Sequence, residues 1–209
     1  AAARKRVVVV GAGIAGLEAA WVAAARGHDV RVFGESSDAG GKTRLHALLP
    51  GGEHLSSIYD YQQLAARRAG LKLELGVRAT LDDVLALSPD HVVLATGAQM
   101  SWPESLPQAL RDEGAIPSLR EAVPMLAGIE GRQGGTAVLF DMDHTEATYG
   151  AAEWFLRWFD AVVVATPRDA IAHDVPLVTR LGIQRRFNHK RIRVVPFVEL
   201  DAGSAWEEA

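Results

Sequence analysis

Apolar positions along the chain change their period several times, and each change marks an element. Val7 to Val10 is an unbroken β-branched run, the pattern of a parallel strand covered on both faces. Leu17 to Arg26 is rich in good helix formers, and Gly27 is placed to stop the helix. His28 to Phe33 returns to strand character. Glu53 to Arg68 predicts a second helix ended by Gly70, and Leu71–Leu75 and His91–Ala98 predict two more strands. Asp82 to Leu87 supplies a short turn of helix before the last of them. This alternation implies an α/β fold with a parallel sheet.

The rhythm recurs further on. Thr136–Phe140 reads as strand, Thr148–Phe159 as helix and Ala161–Ala165 as strand. From Trp102-Pro103 through Pro117 prolines are frequent and apolar pairs few, and Arg120–Leu126 predicts a short helix. The expected organisation is a first domain over residues 1–100, a linker over 101–134 and a second βαβ unit over 135–209. Trp154, Phe155, Trp158 and Phe159 recur at helical spacing, as in a core or interface stripe. The basic run Arg185–Arg193 reads as a solvated helix end leading into the strand "IRVVPFVEL".

Composition narrows the chemistry. With 209 residues, 48% of them apolar, the chain can bury a substantial core. A net charge of -4 gives no reason to expect a nucleic-acid or membrane partner. The longest apolar run, Val7 to Ala25, is broken by Glu18 and threaded with glycine, so it is not a membrane span. There is no cysteine, which excludes disulfides, a redox-active cysteine pair and thiolate-held clusters within this chain, and fits a cytoplasmic location. His144, His173 and His189 have no metal-ligand spacing and read as surface or satisfied histidines, so no metal site is expected. The chain begins without Met, as an excised or processed piece would.

The chemistry concentrates in "VVVVGAGIAGLEAA". Gly11, Gly13 and Gly16 have the Gly-x-Gly-x-x-Gly spacing between a clear strand and a clear helix. In a dinucleotide-binding βαβ unit the first glycine permits a tight turn, and the second lets the backbone approach a pyrophosphate. The third allows close packing of the helix. The phosphates sit on the helix N-terminus, against free N–H groups and the positive end of the dipole. Ala12, Ile14 and Ala15 complete this turn as binding candidates. An acid is expected at the end of the next strand to hold the ribose; Glu35 is the candidate, with a solvated loop carboxylate as the plainer reading. No Arg follows at once to welcome a 2′-phosphate, so an NADP-type first site is not expected.

Together with "AGGK" (Ala39 to Lys42) and "VVLATGA", this stretch resembles the C-terminal FAD/NAD(P)-binding region of multidomain NADH:flavin oxidoreductases, the family of 2,4-dienoyl-CoA reductase and trimethylamine dehydrogenase. The resemblance covers nearly the whole chain, strongly to about Ala98 and more loosely after it. It implies a Rossmann-like fold of the FAD/NAD(P)-binding type, and FAD, or ADP in its place, on Gly11, Gly13 and Gly16. It further implies that Gly40 and Gly41 pass close to the cofactor, with Lys42 beside them, and that Ala95, Thr96 and Gly97 flank the nucleotide. Ala79 is a further candidate contact. The family's ribose-binding acid aligns with Gly34, so either Glu35 takes over with a shifted loop or that contact is weaker. The family's flavin-bearing barrel, its cysteine cluster and a returning strand ending in Gly-Asp are not found in this sequence, so catalytic residues are expected in other domains or subunits.

The second unit departs from the pattern. Of its glycine triad only Gly150 remains, while Asp141 and Asp143 occupy the turn. Two carboxylates would meet a pyrophosphate with like charge, so NAD(H) is not expected here, as in the amine-dehydrogenase branch of the resemblance. "DMDHT" also matches the Asp-x-Asp-x-Thr nucleophile signature of haloacid-dehalogenase-like phosphatases. The only later Lys is Lys190 and no paired acid follows a strand, so that match is read as coincidence. Three readings stay open: an FAD-binding part of an oxidoreductase, a non-catalytic ADP-binding module, and, weakest, a free-standing NAD-dependent dehydrogenase.

Overall fold

The computed structural model describes residues 3–200. Contacts divide the chain into two compact units: one holds the chain up to Leu48 with Glu53–Gln99, the other Leu49–Gly52 with the chain from Met100 onward.

In the first unit the β-branched run forms β1 (Arg6–Val10), followed by α1 (Ile14–Ala25), β2 (Asp29–Gly34) and a short α2 (Lys42–Ala47). A 3-10 turn at Glu53–Leu55 leads into α3 (Ser56–Arg68), then β3 (Leu73–Leu75), α4 (Leu81–Ala86) and β4 (His91–Leu94). The four strands are parallel in the order β3-β2-β1-β4, with Val8 opposite Arg31 on one side and Val92 on the other. Val7 and Val9 pack under α1 and α3 with Leu17, Ala20, Val32 and Tyr59, whereas Val8 points the other way onto Phe33 and Val84. Both faces of β1 are therefore covered, which is why its sequence shows no alternation. Thr80 and Asp83 close a reciprocal capping box at the start of α4. The backbone N–H and hydroxyl of Thr80 hold the Asp83 carboxyl below the usual carboxylate range.

The second unit begins with α5 (Gln108–Asp112) and α6 (Leu119–Ala127), so residues 101–134 carry two helices, and α6 buries Ala122, Val123 and Leu126. Then come β5 (Thr136–Phe140), α7 (Glu146–Phe155), β6 (Ala161–Ala165), α8 (Leu177–Asn188) and β7 (Ile192–Val195). The sheet is parallel, β5-β6-β7. Helix α7 starts two residues before the predicted Thr148 and ends at Phe155. Trp154, Phe155 and Trp158 are buried, so the aromatic stripe is core. The basic run is not simply a solvated face. Arg186 donates to the buried Glu153 carboxylate at 2.7 Å, and Lys190 bonds its other oxygen, so two of these cations neutralise a buried acid. The strand predicted over Ile192–Leu200 ends at Val195.

Among the described residues no helix is long and apolar enough to cross a membrane.

Candidate functional site

The turn between β1 and α1 is set by what its glycines touch. Gly11 has a φ of +111°, and a Cβ there would fall 2.2 Å from the Ala95 carbonyl oxygen. A Cβ on Gly16 would lie 1.9 Å from the Gly11 carbonyl oxygen. Both positions are closed by the protein's own backbone, so they fix the turn's shape. Gly13 is different, because a Cβ there meets nothing within 4 Å. Its bareness answers no internal need, as expected where a ligand is to come close.

Gly13 is the N-cap of α1, with no side chain capping the helix and no acid in the first turn. The first N–H groups of a helix have no intrahelical acceptor, so this end offers donors and the positive dipole end to an anion. Ile14 and Ala15 are exposed there, while Ala12 is buried. Gly40 joins the same corner: its N–H donates to the Ala12 carbonyl at 2.8 Å, and Gly13 and Gly40 form a parallel bridge. A Cβ on Gly41 would stand 3.1 Å from the Gly13 Cα. The N–H of Ala95 donates to the Val10 carbonyl at 2.8 Å, which leaves Thr96 and Gly97 exposed at the strand's end. Thus the structure brings Gly11–Gly16, Gly40–Gly41 and Ala95 together at the carboxyl end of the sheet, where open α/β folds bind ligands. Lys42 is exposed at the start of α2. Ala79 is half-buried against the Val8, Phe33 and Val84 cluster.

Strand β2 ends at the buried Gly34, where a Cβ would come 2.7 Å from the Ala12 Cβ and 2.8 Å from the Leu75 Cδ2. No acid fits at that position without moving the turn. Glu35 follows, exposed, and its carboxylate accepts from Arg78 at 3.4 Å. Sequence reasoning missed Arg78, which lies 43 residues from Glu35.

The turn after β5 has another construction. Asp141 was expected to face a phosphate; instead it is 1% exposed and its carboxylate is committed inward. One oxygen accepts from the His144 N–H at 3.0 Å and the other from the Tyr149 hydroxyl at 2.6 Å. The Tyr149 oxygen in turn accepts from the Ala172 N–H, fastening the loop after β6 to this turn. Burial, then the bond to Asp141, raises the Tyr149 phenol well above its ordinary pKa. Asp143, exposed, accepts from the Thr145 N–H at 3.0 Å and the Thr148 hydroxyl at 2.8 Å, so a carboxylate already stands beside the start of α7.

His144 corrects another expectation. It is 1% exposed with a φ of +54°, and its Nε2 finds no partner, so it is neither a surface nor a fully satisfied histidine. Its ring stands edge-on to His173, centroids 5.8 Å apart. Among the described residues no three His, Asp or Glu side chains converge as metal ligands. A groove lined by Arg132, Phe159, Asp160 and Lys190 lies at the amino ends of the second sheet's strands, the opposite end from the Asp141 turn.

Comparison with known proteins places the chain in a family. Residues 5–132 match the family described as pyridine nucleotide-disulphide oxidoreductase. The chain is 34% identical over 172 residues to a probable N-methylproline demethylase of Rhizobium meliloti, covering 82% of this chain and 24% of that protein. It is 35% identical over 161 residues to a multifunctional alkene reductase/demethylase of Caballeronia cordobensis, covering 77% and 22%. The solved structure of a 2-naphthoyl-CoA reductase superposes with a TM-score of 0.81 at 27% identity, over 96% of this chain and 29% of that one. The chain spans about a quarter of the length of these relatives. Sequence and fold together make this chain a member of the pyridine nucleotide-disulphide oxidoreductase family, of the kind found in the 2,4-dienoyl-CoA reductase and trimethylamine dehydrogenase-like enzymes.

Proposed function

We propose that the chain is the nucleotide-binding part of a flavin-dependent oxidoreductase and that the Gly11–Gly16 turn holds the pyrophosphate of FAD. The observation that carries this reading is Gly13, a glycine at an uncapped helix N-terminus with open space where its side chain would be. The N–H groups at Gly13 to Gly16 cradle the phosphates. Gly40 and Gly41 let the chain pass beside the cofactor, with Lys42 adding positive charge, while Glu35 takes the ribose, Ala79 is a further contact and Ala95 to Gly97 flank the nucleotide. When bound, FAD supplies electron and hydride acceptance. This chain's own residues bind and orient it.

Substrate chemistry is assigned to other domains or subunits, in keeping with relatives roughly four times as long. A cytoplasmic location fits a chain with no cysteine. The division expected from the sequence, residues 1–100 for the cofactor and 135–209 for a degenerate second unit, is retained in this reading. The second unit takes no NAD(H) in this reading, because its own carboxylates take the His144 and Thr145 turn amides and set negative charge beside the start of α7.

A second reading, a structural ADP module, is favoured by one fact: the residues gathered at the turn address only the pyrophosphate and adenosine half of FAD, which ADP shares. Denaturing the purified protein and recording the visible spectrum and mass of the released fraction separates the two. Yellow FAD is expected; colourless ADP supports the second reading. Release of neither, with no binding of added adenine nucleotide, contradicts both.

A further inference from the structure

Helix α3 reaches the start of α1 through one buried amide. Gln62, in α3, is 5% exposed, and its Nε2 donates to the Ile14 carbonyl and to the Glu18 carboxylate, each at 3.0 Å. Both partners are acceptors, so the amide can turn only its NH2 group toward them. Its Oε1 is then left buried with no partner among the described residues. A methionine would fill the same space without stranding an oxygen, so packing does not explain the amide. Its two bonds do.

Both bonds bear on the helix end where Gly13 leaves open space. The Ile14 carbonyl and the Ala15 N–H belong to one peptide group, and that N–H is among the donors left free at the start of α1. A hydrogen bond on the carbonyl holds the plane of this peptide and polarises its N–H. Glu18 acts through its charge. The first turn of α1 carries no acid, and Glu18 is the acid that follows, on a side chain that a helix tilts toward its own N-terminus. Free to swing, that charge would oppose an anion there. It is tied instead: the Trp21 Nε1 donates to its Oε2 at 2.8 Å, so indole and amide share one carboxylate oxygen.

On the reading that this turn binds the pyrophosphate of an adenine nucleotide, we infer that Gln62 is its positioning residue: it fixes the Ile14–Ala15 peptide toward the phosphates and, with Trp21, keeps the Glu18 carboxylate off them. Gln62 contributes no contact of its own to the phosphates. Its effect on binding therefore runs partly through a charge it does not carry, and neutralising Glu18 should remove that part. A residue that only packed α3 on α1 would give the same loss with or without the charge.

The test is calorimetric titration of ADP into protein freed of co-purifying nucleotide, for wild type, Gln62→Met, Glu18→Gln and the double variant. Gln62→Met should weaken ADP binding by about tenfold, the order of one charge-assisted hydrogen bond. Glu18→Gln should bind within about twofold of wild type, because the charge it removes is already held back. Added to Glu18→Gln, the Gln62→Met change should cost only about threefold. Trp21→Phe cuts the other tie on the same carboxylate and keeps a ring against Tyr61, so it repeats the test should Gln62→Met fail to fold. It should weaken ADP by about threefold with Glu18 in place and not at all beside Glu18→Gln. A loss of the same size in both backgrounds, or no loss, while wild type binds ADP, overturns the positioning role and leaves the nucleotide site standing. Failure of wild type to bind ADP overturns the nucleotide reading and this inference with it.

Discussion

The turns after β1 and β5 begin from the same plan, a parallel strand feeding a helix, and end with opposite chemistry. After β1 the chain spends its glycines on backbone packing at Gly11 and Gly16 and keeps Gly13 bare, with no acid in the first turn of α1. After β5 the turn is filled from within: Asp141 takes the His144 N–H and the Tyr149 hydroxyl, and Asp143 takes the Thr145 N–H. Both helices start without a side-chain cap, but only the second has carboxylates in the turn before it to repel an anion. The second turn holds instead a buried polar network that ties the loop after β6 to the strand end.

Substitutions can break this contrast. The largest effect is expected for Gly16→Ala, whose Cβ would strike the Gly11 carbonyl oxygen at 1.9 Å; destabilisation of about 3 kcal/mol or more should show in chemical denaturation. Tyr149→Phe comes next. It takes the Tyr149 bond from one Asp141 oxygen and from the Ala172 N–H in the core and should cost about 2 kcal/mol, without weakening nucleotide binding at the first turn.

The same variant has a pH signature. With the folded pKa of Tyr149 raised above its unfolded value, the unfolded chain loses its proton first as pH rises. Stability contributed by Tyr149 is complete below the ordinary tyrosine range and falls as pH climbs beyond it, and Tyr149→Phe should flatten that alkaline decline. Asp83→Asn should have the smallest effect. Its folded pKa is lowered by Thr80, so its contribution is present above the ordinary carboxylate range and is lost as pH falls through the folded pKa. The variant should lower the melting temperature slightly at neutral pH and show a shallower acid dependence than wild type.

Much of the fold is legible in the chain because buried parallel strands announce themselves as β-branched runs, as β1 and β6 do; the half-exposed β5 also falls where the apolar pattern puts it. Gly11, Gly13 and Gly16 are legible because their fixed spacing lies between a clear strand and a clear helix, although the Ala95 carbonyl that closes the space at Gly11 lies far along the chain. Short α2 is not, because six residues after Gly41 carry no apolar stripe from which a period could be read. Contacts between distant residues escape altogether. Arg78 reaches Glu35 across 43 residues, and Tyr149 meets Ala172 across 23. His144 is buried in a left-handed backbone conformation, φ +54°, that its residue type does not announce. From sequence alone, Asp141 reads as a charge facing outward, whereas its partners face in.

The central claim is that the first turn, and not the second, is open to a nucleotide. Titrating ADP into wild type, Gly13→Val and Asp141→Ala tests it most directly. Because a Cβ at Gly13 meets nothing in the protein, Gly13→Val should lose binding while costing only about 1 kcal/mol of stability. Asp141→Ala should bind ADP as wild type does. Unchanged affinity in Gly13→Val, or a large loss in Asp141→Ala, would contradict the account.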